Sequence, residues 1–168
     1  MIKKIVAVAF AAMALCISGC RDSVASREGQ PVSFTHEDVA EMVSAVMRSI
    51  IASQARFASA DGRRKVIAVD ALDTSSSMCD DGATSAARDF DMRLREELTN
   101  SGLFMVYDAE NRSVANAGVL PRCRFKAKLV RSPMEDGGVC LTLNAAIVDI
   151  PANVVIWSKN VSVLKRVR

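Results

Sequence analysis

Histidine, tryptophan and tyrosine occur once each among the 168 residues, and aromatic residues make up only 5% of the chain. The single histidine, His36, has no cysteine or acid spaced around it as a metal site would need, and it reads as a surface residue at a helix cap. There is no nucleophile elbow or glycine-rich phosphate loop, and no signature pairs the acids. The chain therefore reads as a protein that is not an enzyme, with no cofactor and no small-molecule substrate. An excess of one charge is also missing. Lysine plus arginine is 22 and aspartate plus glutamate 19, and the only charges before residue 20 are Lys3 and Lys4, so beyond that point 20 cations face 19 acids. Bulk charge gives no reason to expect nucleic acid as a partner. The longest apolar run, Ile5 to Ile17, is shorter than the roughly 20 residues of a membrane-spanning helix, and no charged stop-transfer cluster follows it.

What that run does fit is a secretory leader: a short basic start, an apolar stretch, then Ser18-Gly19-Cys20 as small residues and a thiol. Ile17-Ser18-Gly19-Cys20 also resembles the bacterial lipobox. The resemblance implies a signal peptide over residues 1–19 and Cys20 as the lipidated first residue of the mature chain, held by several acyl chains such as palmitate. Arg21 stands where an inner-membrane retention signal would place Asp, so the expected location is the outer membrane, facing the periplasm. Residues 20–34 hold Gly29, Pro31 and scattered serines without apolar periodicity. They read as a lipidated flexible tether, about 50 Å at full stretch.

Residues 35–168 read as one domain. Thr35, with Glu37 and Asp38 behind it, opens a helix in a capping-box pattern. Val39, Met42, Val43, Val46, Met47, Ile50, Ile51 and Phe57 line one apolar stripe that needs a sheet to cover it, until Asp61-Gly62 ends the element. Val66 to Val69 is a short buried strand, Asp73 to Gly82 a polar loop, Ala83 to Asn100 a second helix with Gly102 behind it, and Leu103 to Tyr107 a strand. This order calls for parallel pairing through a right-handed crossover. From Pro121 the period becomes two. Cys123, Phe125, Ala127 and Leu129 alternate with Arg124, Lys126 and Lys128, and Val139 to Ile147 alternate likewise. A last strand shows Val155, Trp157, Val161 and Val163 on its apolar face. Short turns join these three into an antiparallel meander. The expected fold class is α+β: a small mixed sheet, built from the strand-helix-strand unit and the meander, with helices packed on it.

Arg122, Arg124, Lys126 and Lys128 form a basic row on one strand face. Like charges so placed repel, and a counter-surface on an acidic protein or an anionic envelope polymer relieves them, so the row is the candidate partner-binding surface. No aromatic interleaves it, which argues against single-stranded nucleic acid.

Val66 to Val69, Asp73-Thr74-Ser75, Leu98-Thr99-Asn100-Ser101-Gly102-Leu103-Phe104 with Asp108, and Ile147-Val148-Asp149 leading to Val155-Ile156-Trp157-Ser158 resemble the LpoB-type lipoproteins over roughly residues 65–163. The resemblance implies an outer-membrane lipoprotein of cell-envelope biogenesis that binds and activates a penicillin-binding protein, a peptidoglycan synthase. A second resemblance points elsewhere. Asp73, Ser75 and Ser77 have the Asp-x-Ser-x-Ser spacing of the metal-ion-dependent adhesion site of von Willebrand factor A domains, where an acid and two hydroxyls hold a hard cation. The alternative is thus a structural or cation-dependent adhesion module with no enzyme partner.

If Cys16 leaves with the leader and Cys20 is acylated, Cys79, Cys123 and Cys140 remain in an oxidising compartment, enough for one disulfide. The alternation puts Cys123 and Cys140 on opposite faces, which forbids a bridge between them. If the Cys123 strand runs antiparallel to Val66–Val69, Cys123 starts at the sheet edge where Cys79 lies, so the expected disulfide is Cys79 to Cys123.

Overall fold

A computed structural model describes residues 33–58, 62–76, 81–107, 120–135 and 137–166, with only the backbone given for 81–83. Helix α1 spans His36–Ala52 and a single 3-10 turn, Gln54–Arg56, extends it. The capping box forms as the sequence dictates. Thr35 donates from its backbone N–H to Asp38 Oδ2 at 2.7 Å, and the Asp38 N–H donates back to Thr35 Oγ1 at 3.4 Å. The stripe from Val39 to Ile50 is buried, as is Phe57, while Ile51, at the far end of the stripe, is exposed. Phe34, at the end of the expected tether, is buried in the same core.

Strand β1 (Lys65–Val69) is followed by β2 (Asp73–Ser76), a strand where the sequence reads only as loop. Helix α2 (Asp81–Asn100) buries Ala86, Phe90, Leu94 and Leu98 at helical spacing, and β3 (Phe104–Tyr107) follows. Gly102, at φ +69°, makes the turn between them, a conformation that costs glycine little. Strands β4 (Cys123–Pro133), β5 (Val139–Asp149) and β6 (Val154–Lys165) complete a six-stranded mixed sheet. Its order is β3-β1-β4-β5-β6, with β2 also paired to β4. β1 pairs in parallel with β3 on one side and β4 on the other, and β4-β5-β6 is the expected antiparallel meander. The fold is α+β, with both helices packed on one face of this sheet around a single apolar core.

Two expectations change at the level of strand direction and phase. β4 runs parallel to β1, with Ile67 opposite Cys123, so the carboxyl end of β1 leads along β4 and away from Cys123. Ser76 pairs with Val130, seven positions up β4, about 23 Å from Cys123. Cys79 is only three positions beyond Ser76, at most about 11 Å of chain, too little to close that gap. The Cys79–Cys123 disulfide is therefore not supported. Cys123 and Cys140 are free thiols, Cys123 fully buried, and Cys79 lies outside the described residues.

The second correction concerns Val155. Ile147 faces Trp157 while Val148 faces Val155, so Ile156 is an extra residue in β6, a bulge. The bulge reverses the phase of the strand: Trp157 points into the core at 3% exposure, and Val155 lies on the opposite face at 56%.

Candidate partner-binding face

Since both described helices sit on one face, the other face of the strands has no helix over it among the described residues. Strict alternation in β4 buries Cys123, Phe125, Ala127 and Leu129 and leaves Arg124, Lys126 and Lys128 outside, with Arg122 exposed just before the strand. The register then sets their neighbours. Arg124 lies beside Val148 and Val155, Lys126 beside Ala146 and Ser158, and Lys128 beside Asn144 and Asn160. Small side chains at Ala146 and Ser158 between longer ones leave a shallow depression of about 440 Å³, edged by Asp70, Asp73, Lys126, Lys128, Asn144 and Asn160. Its edge offers cations, carboxylates and amides around a largely apolar floor that includes Ala71 and Ala146.

The basic row is present, but half of it is answered within the chain. Asp70 Oδ1 lies 3.7 Å from Arg124 Nε and Asp73 Oδ2 3.8 Å from Lys128 Nζ. The pairs are exposed, so each contributes little to stability, but each lowers the local positive potential. Arg122 and Lys126 have no ion pair among the described residues. The sequence could not show this neutralisation, because it follows from β1 and β2 running alongside β4.

Asp73 begins β2, and its Oδ1 accepts the Ser75 backbone N–H at 2.9 Å. The Ser75 hydrogen bonds, with help from Lys128, hold its carboxyl below the usual carboxylate range. Both oxygens of this carboxylate are thus engaged in local contacts. Ser77, the third member of the adhesion-type spacing, lies outside the described residues. Among the described residues no cluster of three or more His, Cys, Asp or Glu side chains is placed to hold a metal ion.

The same dense local pairing recurs around the helices. His36 is exposed, and its Nδ1 sits 2.8 Å from Asp89 Oδ2 on α2, while Arg93 Nε donates to the other oxygen at 2.9 Å. The His36 hydrogen bond first, then that of Arg93, lowers the Asp89 pKa. Two residues on, Asp91 accepts the Leu72 N–H at 3.1 Å and Arg95 donates to the Val69 carbonyl at 2.8 Å, so α2 grips both ends of the β1–β2 connection. Burial pushes the Asp91 carboxyl above its ordinary value, against the Leu72 bond. Cys140, half-buried on the open face, lies 3.6 Å from Thr142 Oγ1, which is 3.0 Å from Ser162 Oγ.

No family model matches the chain, and no curated protein matches it. Solved structures similar to it include LpoB of Escherichia coli, 15% identical over 69% of this chain and 65% of that one, with a TM-score of 0.42. A hypothetical protein of Chlamydia trachomatis, CT253, is 10% identical over 61% of this chain and 73% of that one, at a TM-score of 0.45. The lipoprotein GNA1162 of Neisseria meningitidis is 12% identical over 60% of this chain and 80% of its own, at 0.39. LpoB structures are thus among those this chain is similar to. Among the described residues no helix is long and apolar enough to cross a membrane.

Proposed function

We propose that this protein is an outer-membrane lipoprotein, anchored through Cys20 and facing the periplasm, whose domain binds a protein partner in cell-envelope biogenesis and regulates a peptidoglycan synthase of the penicillin-binding class. The observation that supports this reading best is the open sheet face. It presents Arg122, Arg124, Lys126 and Lys128 as one exposed row beside a depression with polar edges, with no helix over it among the described residues. A face left open by its own fold and lined by cations favours an acidic counter-surface and sets register and on-rate more than raw affinity. The lipobox-like leader and the LpoB-type resemblance supply the compartment and the class of partner. In this reading its action on the partner is through binding.

The test is capture from detergent-solubilised envelopes by the tagged full chain, with penicillin-binding proteins read out by labelled penicillin. Glu at Arg124, Lys126 and Lys128 should leave the thermal midpoint within a few degrees, since exposed substitutions cost under about 0.5 kcal/mol each. Capture should fall and lose its salt dependence. Undiminished capture by that variant would return the row to the role of a solvated sheet face. Calcium- or magnesium-dependent capture of other surface proteins, with no synthase among them, would favour the adhesion reading.

A further inference from the structure

We propose that the free edge of β6 is a second interaction surface, one that takes an extended segment of a protein partner as an added strand, with an acidic residue of that segment against Lys159. The sheet order ends in β3 on one side and β6 on the other. β3 is four residues long, whereas β6 runs for 12 and holds neither proline nor glycine. Beyond the Ile156 bulge its pairing with β5 is regular from Trp157 to Lys165, a straight edge of about 30 Å. On the side away from β5, alternate N–H and C=O groups of this stretch have no strand partner among the described residues. Such a row is a template for one more strand.

The side chains define what that strand would carry. Facing the helices, Lys159, Val161 and Val163 stand opposite Ala145, Leu143 and Leu141 of the core. Val161 and Val163 pack against the core but are only half-buried, since β5 flanks them on one side and no described strand flanks the other. Apolar residues at alternate positions of an added strand would cover them. Lys159 is exposed and has no ion pair among the described residues. Its neighbours along β6, Ser158 and Asn160, and across the ladder, Ala145, are all described, and none is acidic.

Lys159 also decides between a partner and a second copy of this chain. If two β6 strands met in parallel and in register, Lys159 would stand opposite Lys159. In an antiparallel pairing centred on Lys159 or Asn160, the two ammonium groups would be opposite or diagonal neighbours. Like charges so placed destabilise a strand pair, whereas a carboxylate opposite the same ammonium stabilises it. A lysine on the inward side of an edge strand thus guards the edge against its own copy and admits a strand that carries an acid at that one position. The contacts involved are main-chain groups of β6 and one cation two strands away from the basic row of β4, so the inference does not rest on the open-face reading.

The experiment uses the full chain in neutral detergent and fluorescein-labelled peptides read by anisotropy. Thr-Val-Thr-Val-Thr-Glu-Thr sets its Glu opposite Lys159 and its valines opposite Val161 and Val163 when it runs antiparallel to β6, and the reversed sequence does so in parallel. One of the two should bind saturably. Replacing its Glu by Lys should weaken binding at least tenfold, and Lys159→Glu should invert the order of the two peptides with far-UV circular dichroism unchanged. A second measurement needs no variant. Of two N-methylated forms of the peptide, one at the Val and Glu positions and one at the Thr positions, the form that blocks the ladder should lose binding at least tenfold and the other less than threefold. Absence of binding by either peptide, equal binding of the Glu and Lys forms, no inversion in a folded Lys159→Glu protein, or equal behaviour of the two N-methylated forms would each overturn the proposal. Self-association of the full chain that competes with the peptide would assign the edge to a second copy and overturn it too.

Discussion

Lys165 and Asp38 join the last strand to the first helix, and removing either should expose how much of the domain depends on that link. Asp38 is the one buried charged side chain among the described residues, at 5% exposure. Its Oδ2 accepts from the Thr35 N–H and hydroxyl and forms an ion pair with the Lys165 ammonium, whose side chain is 20% exposed. Lys165 also donates to the Ser33 carbonyl. Losing an N-terminal capping interaction costs about 1 kcal/mol. A hydrogen bond to a charged group is worth about 1.5 to 3 kcal/mol, so Asp38→Ala should destabilise the domain by about 2 to 4 kcal/mol. Lys165→Met keeps most of the aliphatic stem and removes the charge. It leaves the Asp38 carboxylate with its two Thr35 donors and should cost about 1 to 2 kcal/mol. In urea unfolding of the two single variants and the double variant, the coupling energy should be about 1 to 2 kcal/mol, above an exposed pair and below a fully buried one. A coupling below about 0.3 kcal/mol would refute the claim that this pair closes the sheet onto α1. The thermal midpoint should fall by roughly 4 °C per kcal/mol for a domain of this size.

Cys20→Ala should abolish labelling by a fatty-acid analogue and release the protein to the soluble periplasm; membrane retention without label would remove the lipoprotein reading. Asp91 has a folded pKa raised by burial, so the folded state holds its proton more tightly and this group costs stability as pH rises through its unfolded pKa toward the folded one. Asp91→Asn, which keeps an acceptor for the Leu72 N–H, should be neutral or stabilising at pH 7 in urea unfolding, with the gain fading near pH 4. Asp91→Ala should cost about 1 to 3 kcal/mol at both, because that N–H loses its partner. Burial also raises the Cys123 thiol, so iodoacetamide should leave Cys123 unmodified in the native protein and alkylate it in urea, and non-reducing peptide maps should show no Cys79–Cys123 cross-link.

The chain by itself determined what depends on near neighbours. Val39 to Ile50 had to lie on one helical stripe, Thr35 and Asp38 had to cap it, and Cys123 to Leu129 had to alternate, because helix and strand periods act over a few residues. Even the parallel pairing of β1 with β3 was legible, since a strand-helix-strand order admits one handed crossover. The candidate basic row was legible for the same reason as the strand that displays it.

Tertiary structure decided everything that needed a partner far along the chain. Nothing local to Arg124 or Lys128 points to Asp70 and Asp73, which reach them only because β1 and β2 share one flank of β4. The polar composition of Asp73 to Ser76 reads as loop until β4 offers it hydrogen bonds. The direction of β4 against β1, undetermined by either strand's own pattern, removed the ground for expecting a Cys79–Cys123 bridge. One extra residue at Ile156 moved Val155 to the other face, a change that the period of two cannot signal because it is a break in that period. Lys165 meets Asp38 across 127 positions of sequence because the sheet brings the end of β6 to the start of α1, and the cost of ordering such distant groups is met by the whole core.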